Sequence, residues 1–71
     1  MLTIDDRSPD EIAMDVARRA RRARLDEDLT QSGLAERAGV SLGSLRRFER
    51  TGQISLQSLV KLAFALDATD N

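Results

Sequence analysis

The stretch from Leu29 to Gly52, LTQSGLAERAGVSLGSLRRFERTG, limits the possible folds more than any other part of the chain. Thr30 suits a helix N-cap, because its hydroxyl can accept from a free backbone N–H one turn in. An apolar pattern follows through Leu34, Ala35 and Ala38. Gly39 stands where a helix ends on a residue of positive φ. Val40 follows, Ser41 is a second N-cap, and a second pattern runs from Leu42 to Arg50 and stops near Gly52. The spacing predicts two short helices joined by a tight, glycine-containing turn of about three or four residues.

The second of these helices is sorted by face. At about 100° per residue, Leu45 and Phe48 fall on one side, with Ser41 and Ser44 beside them. Leu42, Gly43, Arg46, Arg47 and Arg50 fall on the other, and Glu49 lies at the border. One face is built to pack. The other carries three guanidinium groups and no carboxylate.

A third helix start is written at Ser8-Pro9-Asp10-Glu11, where Ser8 caps, Pro9 loses nothing by lacking an N–H, and Glu11 completes a capping box. This helix should run to about Arg24 or Glu27, with Ile12, Ala13, Val16, Ala20 and Ala23 on one face and Arg18, Arg21 and Arg22 on another. Three alanines on the apolar face allow a neighbouring helix to come close. Residues 1–7 have no helical period, although Leu2 and Ile4 alternate with polar residues. They read as a frayed end or as an arm that packs on a second copy. Near the other end Ser55 caps a last helix, whose stripe is Leu56, Leu59, Leu62, Ala63 and Leu66. That stripe should close the core over Leu34, Leu45 and Phe48 and leave Val60 and Phe64 outside.

The net charge of −1 hides a division. Residues 16–25 carry five arginines and no acid, whereas residues 1–15 carry five acids and one arginine. Residues 29–66 carry five bases against two acids. For a surface that faces phosphates, this distribution matters more than the total. The chain has 71 residues, no Cys and no His, which excludes a disulfide framework and leaves a zinc site without soft ligands. No cofactor is implied. No apolar run approaches the roughly 18 residues of a membrane span, and the acidic first 15 residues are not a signal peptide. The expected location is the cytoplasm, in association with the nucleoid when bound to DNA. Nothing supplies a nucleophile–base pair, a glycine-rich phosphate loop or carboxylates in an apolar setting, so an enzyme is not expected. Two Phe and no Tyr or Trp give no stacking platform for single strands.

Thr30-Gln31, Leu34-Ala35, Ala38-Gly39-Val40-Ser41, Leu45, Phe48-Glu49 and Gly52 together resemble the phage-repressor (Cro/repressor, or XRE-type) helix-turn-helix domain. The run SLQSLVKLAFAL, Ser55 to Leu66, is similar to the helix that follows in that family. The likeness extends over about Val16 to Asp67. It implies an all-α, compact bundle of four to five short helices of the lambda-repressor-like kind. Residues 9–71 would form the domain, residues 30–50 the helix-turn-helix, and residues 1–8 an N-terminal arm. It also implies a transcriptional regulator of double-stranded DNA, in most cases a repressor, with the helix of residues 42–50 in the major groove.

Roles for single residues follow from the same resemblance. Gln31, with Thr30 and Ser41 at the helix starts, would meet phosphates, as would Arg50 and, at the end of the first helix, Arg22 more than Arg18. Arg24 would pair with Glu49 and tie the first helix to the third. Two positions depart from the family's pattern. Gly33 replaces the Glu that commonly closes the box with Thr30, which leaves the second helix weak and dependent on Leu34. Gly43 replaces a common polar base reader. Leu42 can touch only something like a thymine methyl, and Gly43 can only permit close approach. Hydrogen bonding to bases then falls to Arg47, Arg46 and Ser44, and arginine favours guanine.

A homodimer on a palindromic operator is expected, with half-sites about 10 base pairs apart. A fifth helix usually helps to make the dimer in this family. The sequence ends at Asn71 without room for one, so either it is shortened or Val60, Phe64 and the arm meet a partner. The RRFERTG turn and acidic N-terminal extension also look similar to HipB-type antitoxins, which would add a kinase-type toxin as a protein partner. The competing reading is an interaction module that keeps the fold without binding DNA, favoured by the net acidity and Gly43.

Overall fold

The capping box at Ser8 forms as the sequence requires. The Ser8 N–H donates to Glu11 Oε1 across 3.1 Å, and the Glu11 N–H donates to Ser8 Oγ across 3.2 Å. These bonds open helix α1, Pro9–Asp26, in a computed structural model that describes residues 6–67. Three further helices follow: α2 (Gln31–Ala38), α3 (Leu42–Thr51) and α4 (Leu56–Asp67). Residues 1–5, where the arm was expected to alternate, lie outside the described residues.

The bond from Ser8 N–H, then that from its hydroxyl, and the charge of Arg7 together hold the Glu11 carboxyl below its ordinary value of 4.5. A lowered carboxylate pKa stabilises the folded state above the unfolded value and ceases to do so as pH falls through the folded one. The Ser8 amide resonance should therefore titrate below pH 4.5, and Glu11→Gln should abolish that titration.

Each turn between helices passes through the left-handed region. Asp28 (φ 57°) follows α1, Gly39 (φ 72°) follows α2 and Gly52 (φ 79°) follows α3. After α1, Leu29 N–H donates to Arg24 O and Asp28 N–H to Leu25 O, the paired bonds that close a helix end on a left-handed residue. Aspartate tolerates this conformation better than most residues, so a turn forms without glycine.

The core is drawn from all four helices: Ala17, Leu34, Ala35, Leu45, Phe48, Leu62 and Ala65. Helix α3 packs on α1 and α2, and α4 closes the other side against α2 and α1. Each fully buried Leu or Phe contributes about 1.5–3 kcal/mol, so Phe48, Leu34, Leu45 and Leu62 dominate the stability.

Two apolar stripes sit differently from the expected ones. On α1, Ala17 is wholly buried, whereas Ile12 and Val16 are each 38% exposed. The inward line runs Ala13, Ala17, Ala20, Arg24, at helical spacing. Close approach rather than side-chain size selects it, because the α3 terminus reaches the α1 backbone at Ala13 and Met14. On α4, Ala65 is buried in place of Ala63, and Leu56 is 76% exposed. Leu59, Leu62, Ala65 and Leu66 share an arc centred near Leu62. Leu56 and Ala63 lie about 100–120° round the helix from it. Val60 and Phe64 face outward, as expected.

Candidate nucleic-acid interface

Helix α3 has one flank in the core and one in solvent. Leu45 and Phe48 are 0% and 1% exposed, while Gly43, Ser44, Arg46, Arg47 and Arg50 are all exposed. Among the described residues, Arg46 and Arg50 pair with no carboxylate. Leu42 corrects the face assignment. It is half-buried and packs against the core, so its side chain is not part of the outward row.

A buried charge pair fixes the rotation of α3. Arg24 Nε donates to Glu49 Oε2 across 2.8 Å and Arg24 Nη2 to Glu49 Oε1 across 2.9 Å. A third guanidinium N–H, on Nη1, reaches Leu29 O at 2.9 Å. The two side chains are 8% and 5% exposed, so both charges are buried. A forked pair of this kind is specific in angle as well as distance. It joins the end of α1, the turn before α2 and the border of α3 in one contact.

Gln31 belongs to the same cluster. Its Nε2 donates to Glu49 Oε1 across 3.1 Å, so the side chain turns inward to the carboxylate rather than outward. Arg21 lies beside it, with Nε 3.9 Å from Glu49 Oε1 and its side chain 60% exposed. Arg22 points elsewhere, to Asp26 of its own helix at 3.4 Å. After Arg24, Arg21 is therefore the α1 arginine beside Glu49 of α3, while Arg22 pairs along its own helix. One signal was available: Arg21 precedes Arg24 by three residues, and residues three apart share a helix face. Arg19 is drawn to Asp15, at 3.1 Å, along with Arg7 at 3.5 Å.

The two cap residues serve their own helices. Thr30 Oγ1 accepts from the Gly33 N–H at 2.9 Å. Ser41 Oγ accepts from the Ser44 N–H at 3.1 Å and donates to Ser44 Oγ at 2.8 Å. Both helix starts leave first-turn N–H groups pointing outward, which suits an anion. At the far end of α3, Arg47 Nη2 donates to Gln53 Oε1 across 2.6 Å, a contact the sequence reading missed. Ser44, Arg47, Gln53, Ser55 and Ser58 line a polar hollow of about 270 Å³ at the α3–α4 junction.

The described residues thus present a basic, solvent-facing helix held rigidly at the end of a helix-turn-helix. A family model described as helix-turn-helix matches residues 21–69, well over half of the chain. The chain belongs to the XRE-family, Cro/repressor-like helix-turn-helix domains. No curated protein matches the chain significantly. The helix-turn-helix domain is all-helical, with no strand among the described residues, and its role is of the DNA-binding, transcription-regulator type. The family is regulatory rather than enzymatic. Among the described residues no group of acids could hold a metal ion, and no helix is long and apolar enough to cross a membrane.

Proposed function

We propose that this domain is a sequence-specific repressor of double-stranded DNA that reads the major groove with α3, acting in the cytoplasm. The observation that carries the reading is the division of α3. Its apolar flank seals the core, and its guanidinium flank is exposed and fixed in angle by Arg24 and Glu49. Arg46 and Arg47 read base edges, with Ser44 as a shorter partner. Gly43, with open space around its missing Cβ, lets the backbone approach. Arg50, the N-termini at Thr30–Gln31 and Ser41, and Arg22 with Arg21 beside it set the register on phosphates.

The domain acts as a homodimer on a palindromic operator. Exposed Leu56, Val60 and Phe64, with Ile12 and Val16, support a protein-binding flank apart from α3. The same flank favours a second reading, in which a protein toxin is also bound.

Selection of binding sites from random DNA tests the proposal. Half-sites should contain at least one guanine, and only A·T half-sites would contradict it. Arg47→Ala should cost about 1–3 kcal/mol and relax preference at one base pair. Arg50→Ala should instead weaken binding uniformly and reduce the salt slope by about 1. An affinity that does not fall with salt would leave the interaction-module reading standing.

A further inference from the structure

We propose that Gln53 is a positioning residue for Arg47, and that this pairing decides how sharply one base pair of the half-site is read. The inference rests on the DNA-reading role proposed above for α3. Gln53 lies beyond α3, in the turn to α4, and has no place in the recognition helix itself. Its Oε1 nevertheless accepts from Arg47 Nη2 across 2.6 Å. The turn is held for the purpose at its other end. Thr51 Oγ1 donates to the Arg47 carbonyl at 2.7 Å and accepts from the Gln53 N–H at 3.1 Å. The bonds thus run from the Arg47 carbonyl through the Thr51 hydroxyl to the Gln53 N–H, and from the Gln53 side chain back to the Arg47 guanidinium.

A guanidinium has five N–H donors in a plane. Gln53 occupies one of them. A bidentate bond to guanine O6 and N7 needs two adjacent donors from a single edge, so an edge remains for the base. What Gln53 removes is freedom. Arg47 is exposed, and the polar hollow between it and α4 gives an untethered side chain room to fold back toward Ser55 and Ser58. Ordering a long side chain at the moment of binding costs affinity, about two- to tenfold for one residue. A tether formed in the free protein removes most of that loss. It acts only where Arg47 bonds a base, so it sharpens discrimination without strengthening non-specific binding.

The experiment uses the full chain and a half-site obtained by selection. Affinity is measured for all four base pairs at the position whose preference Arg47→Ala relaxes. Gln53→Ala should lower the preference for guanine there by about fivefold, with non-specific affinity and melting temperature unchanged. Gln53→Glu keeps the acceptor and should restore the preference, although its charge weakens binding to every sequence alike. In an Arg47→Ala background, Gln53→Ala should have no further effect on preference. An unchanged profile in Gln53→Ala overturns the inference while leaving the DNA-binding reading intact. So does an equal loss with Arg47 already absent. If wild-type protein shows no guanine preference at any position, the base-reading role of α3 falls, and this inference falls with it.

Discussion

Glu49→Ala should remove about 3–5 kcal/mol of folding stability, because it strands a buried arginine charge. A domain of this length holds roughly 4–10 kcal/mol in all, so about a third or more of its stability depends on one carboxylate. Arg24 would be left in the core with only the Leu29 carbonyl as partner. Gln31 would lose its acceptor in the same step. At about 4–8 °C per kcal/mol for a domain of this size, the melting temperature should fall by more than 10 °C. Arg24→Met with Glu49→Leu should recover much of the loss, since apolar residues of similar volume often replace a buried pair at little cost. The recovery stops short of complete, because Leu29 O and the Gln31 amide stay unpartnered. An unchanged melting temperature in Glu49→Ala would show that the pair does not hold α3 to α1.

Gly52→Ala should be comparably damaging, for a steric reason. Gly52 has φ 79°, and a Cβ there would lie 2.9 Å from Ala13 C and Met14 N and 3.1 Å from Ala13 O. These are backbone atoms and cannot step aside as a flexible side chain can. The left-handed conformation costs an L-residue about 1–2 kcal/mol, and overpacking adds about 1–3 kcal/mol. Two other glycines serve as controls. Gly39→Ala carries only the conformational cost, since nothing lies within 4 Å of the added atom. Gly43→Ala has open space and helical backbone, so it should stabilise by about 1 kcal/mol. Urea denaturation should rank Gly43→Ala above the natural protein, then Gly39→Ala, with Gly52→Ala last. Equal losses at positions 39 and 52 would refute the close approach of α3 to α1.

Signals confined to a few neighbouring residues were readable in the chain. The caps at Ser8, Thr30, Ser41 and Ser55, the left-handed turn at Gly39, the stop of α3 near Gly52, and the inward pair Leu45 and Phe48 all stand where local chemistry put them. Local sequence carries no signal where an answer depends on how one helix is rotated against another. Val16 outweighs Ala17 in hydrophobicity, yet Ala17 is inside, because the approach of Gly52 to α1 rewards small residues there. Arg21 and Arg22 are indistinguishable by composition, and only the fold sets Arg21 beside Glu49 and Arg22 beside Asp26. The turn at Asp28 was not anticipated, since aspartate signals positive φ far more weakly than glycine does. Burial of Arg24 was legible only through family resemblance. Periodicity alone leaves an arginine at the margin of an apolar face in doubt.

Among the described residues, four large side chains are sealed almost completely from water: Phe48, Leu34, Leu45 and Leu62. With so lean a nucleus, a small share of molecules is open at any instant, and proteolysis tracks that share when reclosing is fast. Whatever seizes the closed form draws molecules away from the open one, in proportion to its concentration over its Kd. Lifetime then becomes a gauge of occupancy. Under limiting protease, copies bound to DNA should outlast free ones.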